Sequence, residues 1–272
     1  SRKNRQRIMP DGSWDWSISV PLSQGWKIGD RIFVGGQISA DKQGKSVHAG
    51  DLAAQTREIY KFIGDVLDGA GASFKDMVRL KICFKHHSAE PSGETFADKI
   101  MDITTEFVNG AAPAVTSFGV DLLYPGLVLE IDGMAIVDPT RRTLVCDDLG
   151  GRYQSENFAD GISALGEIYV GGQVALAADN SVLYPEDAAA QARIVFDRVA
   201  KVLAKDGATL NDVVKLNIFM VGDGPDIEDI FHAVSRVWSE VAPNAHPAMT
   251  PVRVHDLARP GLLFQADCVA LK

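Results

Sequence analysis

The stretch Ile32-Phe33-Val34-Gly35-Gly36-Gln37 returns as Ile168-Tyr169-Val170-Gly171-Gly172-Gln173, 136 positions later. Gln55, Gly71 and Asp76 recur at the same offset, as Gln191, Gly207 and Asp212. Register kept across separate elements marks duplication of a folding unit. The chain therefore reads as two copies of one small domain, spanning 1–138 and 152–272. A linker is expected at 139–151, where Pro139, Arg141, Arg142 and Gly150-Gly151 break the periodicity.

Within each copy the pattern alternates between strand and helix. Leu52, Thr56, Ile59, Ile63, Val66 and Leu67 recur at three- and four-residue steps and form one helix face, with Asp51 as N-cap and Gly71 just past the end. Ala188, Ala192, Val195, Val199 and Val202 repeat it behind Asp187 and before Gly207. Strict alternation follows, with Val78, Leu80, Ile82 and Phe84 on one side and Arg79, Lys81 and Lys85 on the other. A second helix and a Pro-Gly turn, Pro125-Gly126 or Pro260-Gly261, lead into a last strand. The expected fold is α+β, two tandem domains, each a mixed sheet with two helices on one face. The other face carries Arg79, Lys81, Glu130 and Asp132 among Phe33 and Met134, and is expected to be covered by another domain or subunit.

Composition narrows the function. With 46% hydrophobic and 23% charged residues the chain is a globular protein, and no apolar run approaches the roughly 18 residues of a spanning helix. A net charge of −9 repels a phosphate backbone, so nucleic acid is not an expected partner. Cys83, Cys146 and Cys268 are far apart and outside any CxxC spacing, which argues against a disulfide framework or a metal site and for the cytoplasm. Cys83 and Cys268 lie in apolar strand-like segments and are expected to be buried packing residues. His86 and His87 face opposite ways on a strand and cannot share a metal. His255-Asp256, adjacent in sequence, lacks a paired nucleophile.

Several further pieces have a familiar order. They are Ser23-Gln24-Gly25, the Gly-Gly-Gln strand end, Ala53-Ala54-Gln55 and Ala189-Ala190-Gln191, Gly71-Ala72-Ser73 and Gly207-Ala208-Thr209, then Pro113-Ala114 and Pro247-Ala248. Together they make each copy resemble the RidA family, also called YjgF or UK114. The resemblance implies a fold similar to chorismate mutase and a three-fold assembly with ligand clefts between neighbouring domains. It also implies hydrolysis of reactive imines or enamines to ammonia and a carbonyl compound, with no metal or organic cofactor.

The family's site residues carry over only in part. Its substrate-binding arginine, directly after Pro-Ala, is Val115 here and Met249 in the second copy, so neither copy can clamp a carboxylate there. The cysteine two residues on is Ser117 or Pro251, and the tyrosine before Ser-Gln-Gly is Leu22 or Phe158. The glutamate thought to position the attacking water corresponds to Glu130, whereas the second copy has Gln265, which can orient water but cannot accept a proton.

Glu130 is thus the expected catalytic residue, with an ion pair to Arg79 or Lys81 as its purely structural alternative. Substrate contacts are expected from Ser117, Thr116, Gly36, Trp26, Gln265, Arg253 and Thr250. Arg253 lies four residues past Met249 on the same face of a regular strand and is a displaced anion binder, unless it serves a surface ion pair. The function favoured is cofactor-free deamination of an apolar imine or enamine by a homotrimer of six domains or another homo-oligomer. Its rivals are a non-catalytic small-molecule sensor or interaction scaffold, and other hydrolase or lyase chemistry in the same cleft.

Overall fold

The computed structural model describes residues 4–86, 96–147, 149 and 158–272; His87 and the Gly150-Gly151 pair lie outside these. The first copy runs β1 (Arg5–Ile8), β2 (Gly25–Ile28), β3 (Arg31–Gln37), α1 (Leu52–Gly69), β4 (Met77–Lys85), α2 (Phe96–Phe107), β5 (Ala114–Val120) and β6 (Leu129–Ile136). The second runs β7 (Arg142–Leu144), β8 (Gly161–Ala164), β9 (Glu167–Val174), α3 (Ala188–Ala204), β10 (Val213–Met220), α4 (Asp226–Val241), β11 (Ala248–Arg253) and β12 (Phe264–Leu271). Each copy forms one six-stranded sheet, in the orders β1-β2-β3-β6-β4-β5 and β7-β8-β9-β12-β10-β11. The sheets are mixed because α2 and α4 serve as crossovers that make β4–β5 and β10–β11 parallel.

The helices form where the sequence dictates. Asp51 accepts a hydrogen bond from the Ala54 amide and Asp187 from the Ala190 amide, which satisfies an orphan donor at each N-terminus. Gly71 and Gly207, at φ of 71° and 73°, take the left-handed conformation that releases the chain after each helix. Ile59, Ile63, Val66 and Leu67 from α1, which lies against β3 and β6, share one buried core with Ile32 and Val34 of β3 and Ile131 of β6. Burial of each such side chain is worth about 1.5–3 kcal/mol.

The expected linker is the one element the structure redraws. Within 139–151, Arg142–Leu144 forms β7, the edge strand of the second sheet, and Cys146 and Leu149 are buried in the second core. Leu144 pairs with Gly161 as Ile8 pairs with Gly25, so β7 repeats β1 in the same register. The duplicated unit therefore begins at the edge strand. A strand of three residues with one apolar side chain has too few positions to show a period.

The two sheets do not cover each other symmetrically. β5 of the first copy lies against the sheet face of the second, where the Thr116 hydroxyl donates to Asp267 at 2.7 Å and the Phe118 ring stacks on Phe219 at 4.7 Å. Nearby, Arg31 and its counterpart Glu167 form an ion pair between copies. The face of the second sheet is covered as expected. Much of the first sheet's face is not, and Phe33 stands exposed on it.

Candidate active site

Glu130 is the second residue of β6, and the pleat turns it with Asp132 and Met134 toward the open face. Cys83 lies opposite Glu130 in the ladder, and Lys81 lies opposite Asp132. The Lys81 ammonium donates to Asp132 at 2.8 Å. Glu130 consequently has no hydrogen-bond or ion-pair partner among the described residues. The salt bridge that could have explained it structurally is made by its neighbour instead. Burial raises the proton affinity of the Glu130 carboxyl, and the Asp132 charge adds to the rise while Lys81 opposes it.

The double glycine builds the seat for this carboxyl. Ladder register shifts between Val34 and Gln37, so Gly35-Gly36 form a β-bulge. A Cβ on Gly36 would fall 2.1 Å from Oε1 of Glu130. The second copy repeats the device, with the Gln265 Oε1 2.3 Å from the position of a Gly172 Cβ. From the sequence alone these glycines suggest close backbone approach. Their position shows a second use, making room for the side chain at 130 or 265.

Cys83 differs from expectation. It shares its side of β4 with Arg79 and Lys81 and is half-buried on the polar face. Burial pushes its thiol up to about 12, so it is a neutral group beside Glu130. Strand parity, which puts odd-numbered residues of β4 on this face, is the signal in the sequence that could have located it.

The remaining expected contacts divide into three groups. Thr116, Ser117 and Gln265 meet in the contact between copies, where Gln265 Nε2 donates to the Ser117 carbonyl at 2.9 Å and Asp267 also accepts from Asn217 at 2.7 Å. This cleft is sealed. Gly171 lies so near the Val115 backbone that a Cβ would fall 3.0 Å from its nitrogen. The crevice left beside Arg79, Thr116, Tyr169 and Asp267 has about 10 Å³, room for one water at most. Thr250 and Arg253 lie on exposed β11, where Thr250 accepts from Lys215 and Arg253 pairs with Asp223 at 2.5 Å. Trp26 is not brought to Glu130. It pairs with Phe33, which pairs with Met134, four residues along β6 from Glu130, and the Arg5 guanidinium covers its ring at 5.0 Å.

His255 and Asp256 do not orient each other. Asp256 meets Nδ1 of His86 at 2.5 Å and His255 meets Asp121 at 3.3 Å, fastening the loop after β11 to the ends of β4 and β5. Trp14 is buried and donates from Nε1 to Gln37, whose amide donates to Gln24, so the N-terminal arm staples the strand end behind Gly36.

Fold and site together define a duplicated α+β protein in which Glu130, on the open face of the first sheet, is unpaired among the described residues. The family model described as Endoribonuclease L-PSP matches residues 17–137 and again 153–272. The chain belongs to that family, twice over, in agreement with the RidA/YjgF/UK114 resemblance. Both edge strands, β1 and β7, fall outside the matched segments.

Relatives match about one copy each. A RutC family protein of Pyrococcus abyssi is 30% identical over 115 residues, 42% of this chain and 85% of its own length. The 3-aminoacrylate deaminase RutC of Acinetobacter baylyi is 34% identical over 133 residues, 49% of this chain and 98% of its own. Among solved structures, a chorismatase matches 96% of this chain and 80% of its own with a TM-score of 0.66 at 16% identity. That likeness is one of fold, and it extends over both copies. Among the described residues no helix is long and apolar enough to cross a membrane.

Proposed function

We propose that the chain hydrolyses a C–N bond of a small imine or enamine over Glu130, without a metal or organic cofactor. The observation that supports this most is the state of Glu130: a half-buried carboxyl with raised proton affinity, seated on Gly36 and unpaired among the described residues. Such a group takes a proton from water as the oxygen attacks the imine carbon. It returns that proton to nitrogen to give a carbinolamine. A second transfer, from the carbinolamine hydroxyl through the same carboxyl to nitrogen, lets ammonia leave as the carbonyl forms. An enamine first requires protonation at carbon, for which the protonated carboxyl is suited. The deaminase named among the relatives acts on this kind of bond.

The second copy does not duplicate this chemistry. Gln265 cannot accept a proton, and its cleft is closed by Val115, Ser117 and Phe118. With Val115, Met249, Leu22 and Phe158 at the family's polar positions, the substrate is more apolar than a 2-imino acid or carries its charge elsewhere. The protein works as a homo-oligomer in the cytoplasm, a trimer of chains being what the family resemblance implies. The net charge of −9 sets the reading against nuclease action despite the family's name.

Ammonia release tests this over a panel of imines and enamines beginning with 3-aminoacrylate. Wild type should exceed Glu130→Gln by about 10²–10⁴-fold on at least one member. If neither protein exceeds the buffer rate on any substrate, the sensor reading, supported by the loss of family site residues at Val115, Met249, Leu22 and Phe158, takes its place. In that case metabolites that raise the unfolding temperature identify the ligand.

A further inference from the structure

Lys81 carries a charge that the fold does not need. On the open face Lys81 lies opposite Asp132 and Cys83 opposite Glu130; the sealed face has Asn217 opposite Asp267 and Phe219 opposite Gln265 in the same register. Of these four positions only the aspartate is kept. In the second copy the Asn217 amide donates to Asp267 at 2.7 Å, and the Thr116 hydroxyl donates to it at 2.7 Å. Uncharged donors thus suffice for this aspartate, whereas the first copy places an ammonium 2.8 Å from Asp132. The Lys81 and Asp132 side chains are 37% and 33% exposed, so water screens their attraction and the pair adds little to stability. The copies therefore differ in charge at two adjoining points, with Glu130 in place of Gln265 and Lys81 in place of Asn217.

Lys81 and Glu130 are diagonal neighbours across the ladder of β4 and β6, which sets them about 7–8 Å apart on one face. An ammonium has three donor hydrogens, and Asp132 is the one acceptor it meets among the described residues, so two remain for a ligand. Burial by itself lowers the proton affinity of this ammonium. The hydrogen bond and charge of Asp132 outweigh that and raise it overall, so Lys81 stays charged at neutral pH.

We infer that Lys81 is a substrate-binding residue of the Glu130 site, holding a carboxylate that stands at least one carbon away from the C–N carbon. The chemistry rests on the reading of Glu130 given above; the binding stands on Lys81. A carboxylate bonded to the reacting carbon itself, as in a 2-imino acid, would crowd against Glu130 and fall short of the ammonium, and like charges there repel. One or two carbons further out, the same group reaches Lys81 while the C–N carbon stays over Glu130. A phosphate fits less well, since its two negative charges would sit beside Asp132 and Glu130 with a single ammonium to offset them. The anion is thus held from β4, at a different distance from the breaking bond than an arginine at Val115 or Met249 would give.

Lys81→Asn tests this, because the second copy shows that asparagine satisfies the aspartate at this point of the ladder. Two isomeric, unreactive carboxylates serve as probes. In 3-hydroxypropanoate the carboxylate is one carbon from the hydroxyl-bearing carbon, in lactate it is on that carbon, and propan-1-ol is the uncharged control. At matched ionic strength, 3-hydroxypropanoate should raise the unfolding temperature of wild type and of Glu130→Gln more than lactate or the alcohol does. Lys81→Asn should lose that shift with circular dichroism unchanged, and Lys81→Arg should keep it. Equal shifts from the two isomers, no shift in wild type, or a full shift in folded Lys81→Asn would overturn the inference. Rates divide the same way. Lys81→Asn should raise KM for an anionic enamine by about tenfold or more with kcat little changed, and leave an uncharged imine unaffected. Glu130→Gln should lower kcat for both. An equal loss from Lys81→Asn on charged and uncharged substrates would reduce Lys81 to a structural role. If wild type turns over no substrate, the reading of Glu130 fails alone, and the unfolding shifts still decide Lys81.

Discussion

Gly36 is the floor beneath Glu130: a Cβ at that position would lie 2.1 Å from the carboxyl Oε1. A methyl group there must displace the carboxyl, because the bulge of β3 and the ladder between β6 and β4 fix the backbones on either side. Gly36→Ala should therefore leave the sheet intact and reduce ammonia release by about 10²-fold, approaching the loss from removing the base itself. Gly172→Ala displaces Gln265 in the sealed cleft and should leave the rate unchanged. Circular dichroism and steady-state rates on the two variants check the contrast.

The same carboxyl should cost the fold stability at neutral pH. Its folded proton affinity is raised above the ordinary value of 4.5, so between that value and the folded one the native state binds more protons than the unfolded chain. Stability contributed by the group is present at acid pH and lost as pH rises through the folded value. Glu130→Gln should raise the unfolding temperature at pH 7, and the gain should vanish below about pH 4. Thermal unfolding of both proteins at the two pH values reads this directly.

Phe118 joins the copies through its stack on Phe219. Truncation to alanine opens a cavity in a packed seam and should destabilise the protein by about 3–5 kcal/mol. Because that cleft has no proton acceptor, Phe118→Ala should keep the Glu130-dependent ammonia release of the folded fraction. Denaturant unfolding and rates at low temperature measure the two effects.

Much of this molecule is legible from residues alone. The Gly-Gly-Gln repeat gives the duplication, and Asp51 and Asp187 give the helix starts, because caps and periodic faces are local signals. β7 was hidden in a stretch read as linker because its pairing with β8 is set by tertiary contacts rather than by pattern. The position of Glu130 came from family resemblance, but its freedom from Lys81 depends on which acid, 130 or 132, faces the lysine across the ladder. No single strand carries that information. Trp26 illustrates the converse: nearness in sequence to the Gly-Gly-Gln strand does not bring it to the carboxyl, since its ladder row ends at Met134.

The account depends on Glu130 moving a proton. The pH profile of ammonia release from 3-aminoacrylate, or from whichever imine or enamine wild type turns over fastest, measures this most directly. Wild type should lose activity toward acid through an apparent pKa above the ordinary glutamate value, while Glu130→Gln should show a rate about 10²–10⁴-fold lower with no such limb. A variant that keeps both the rate and the acidic limb would contradict it.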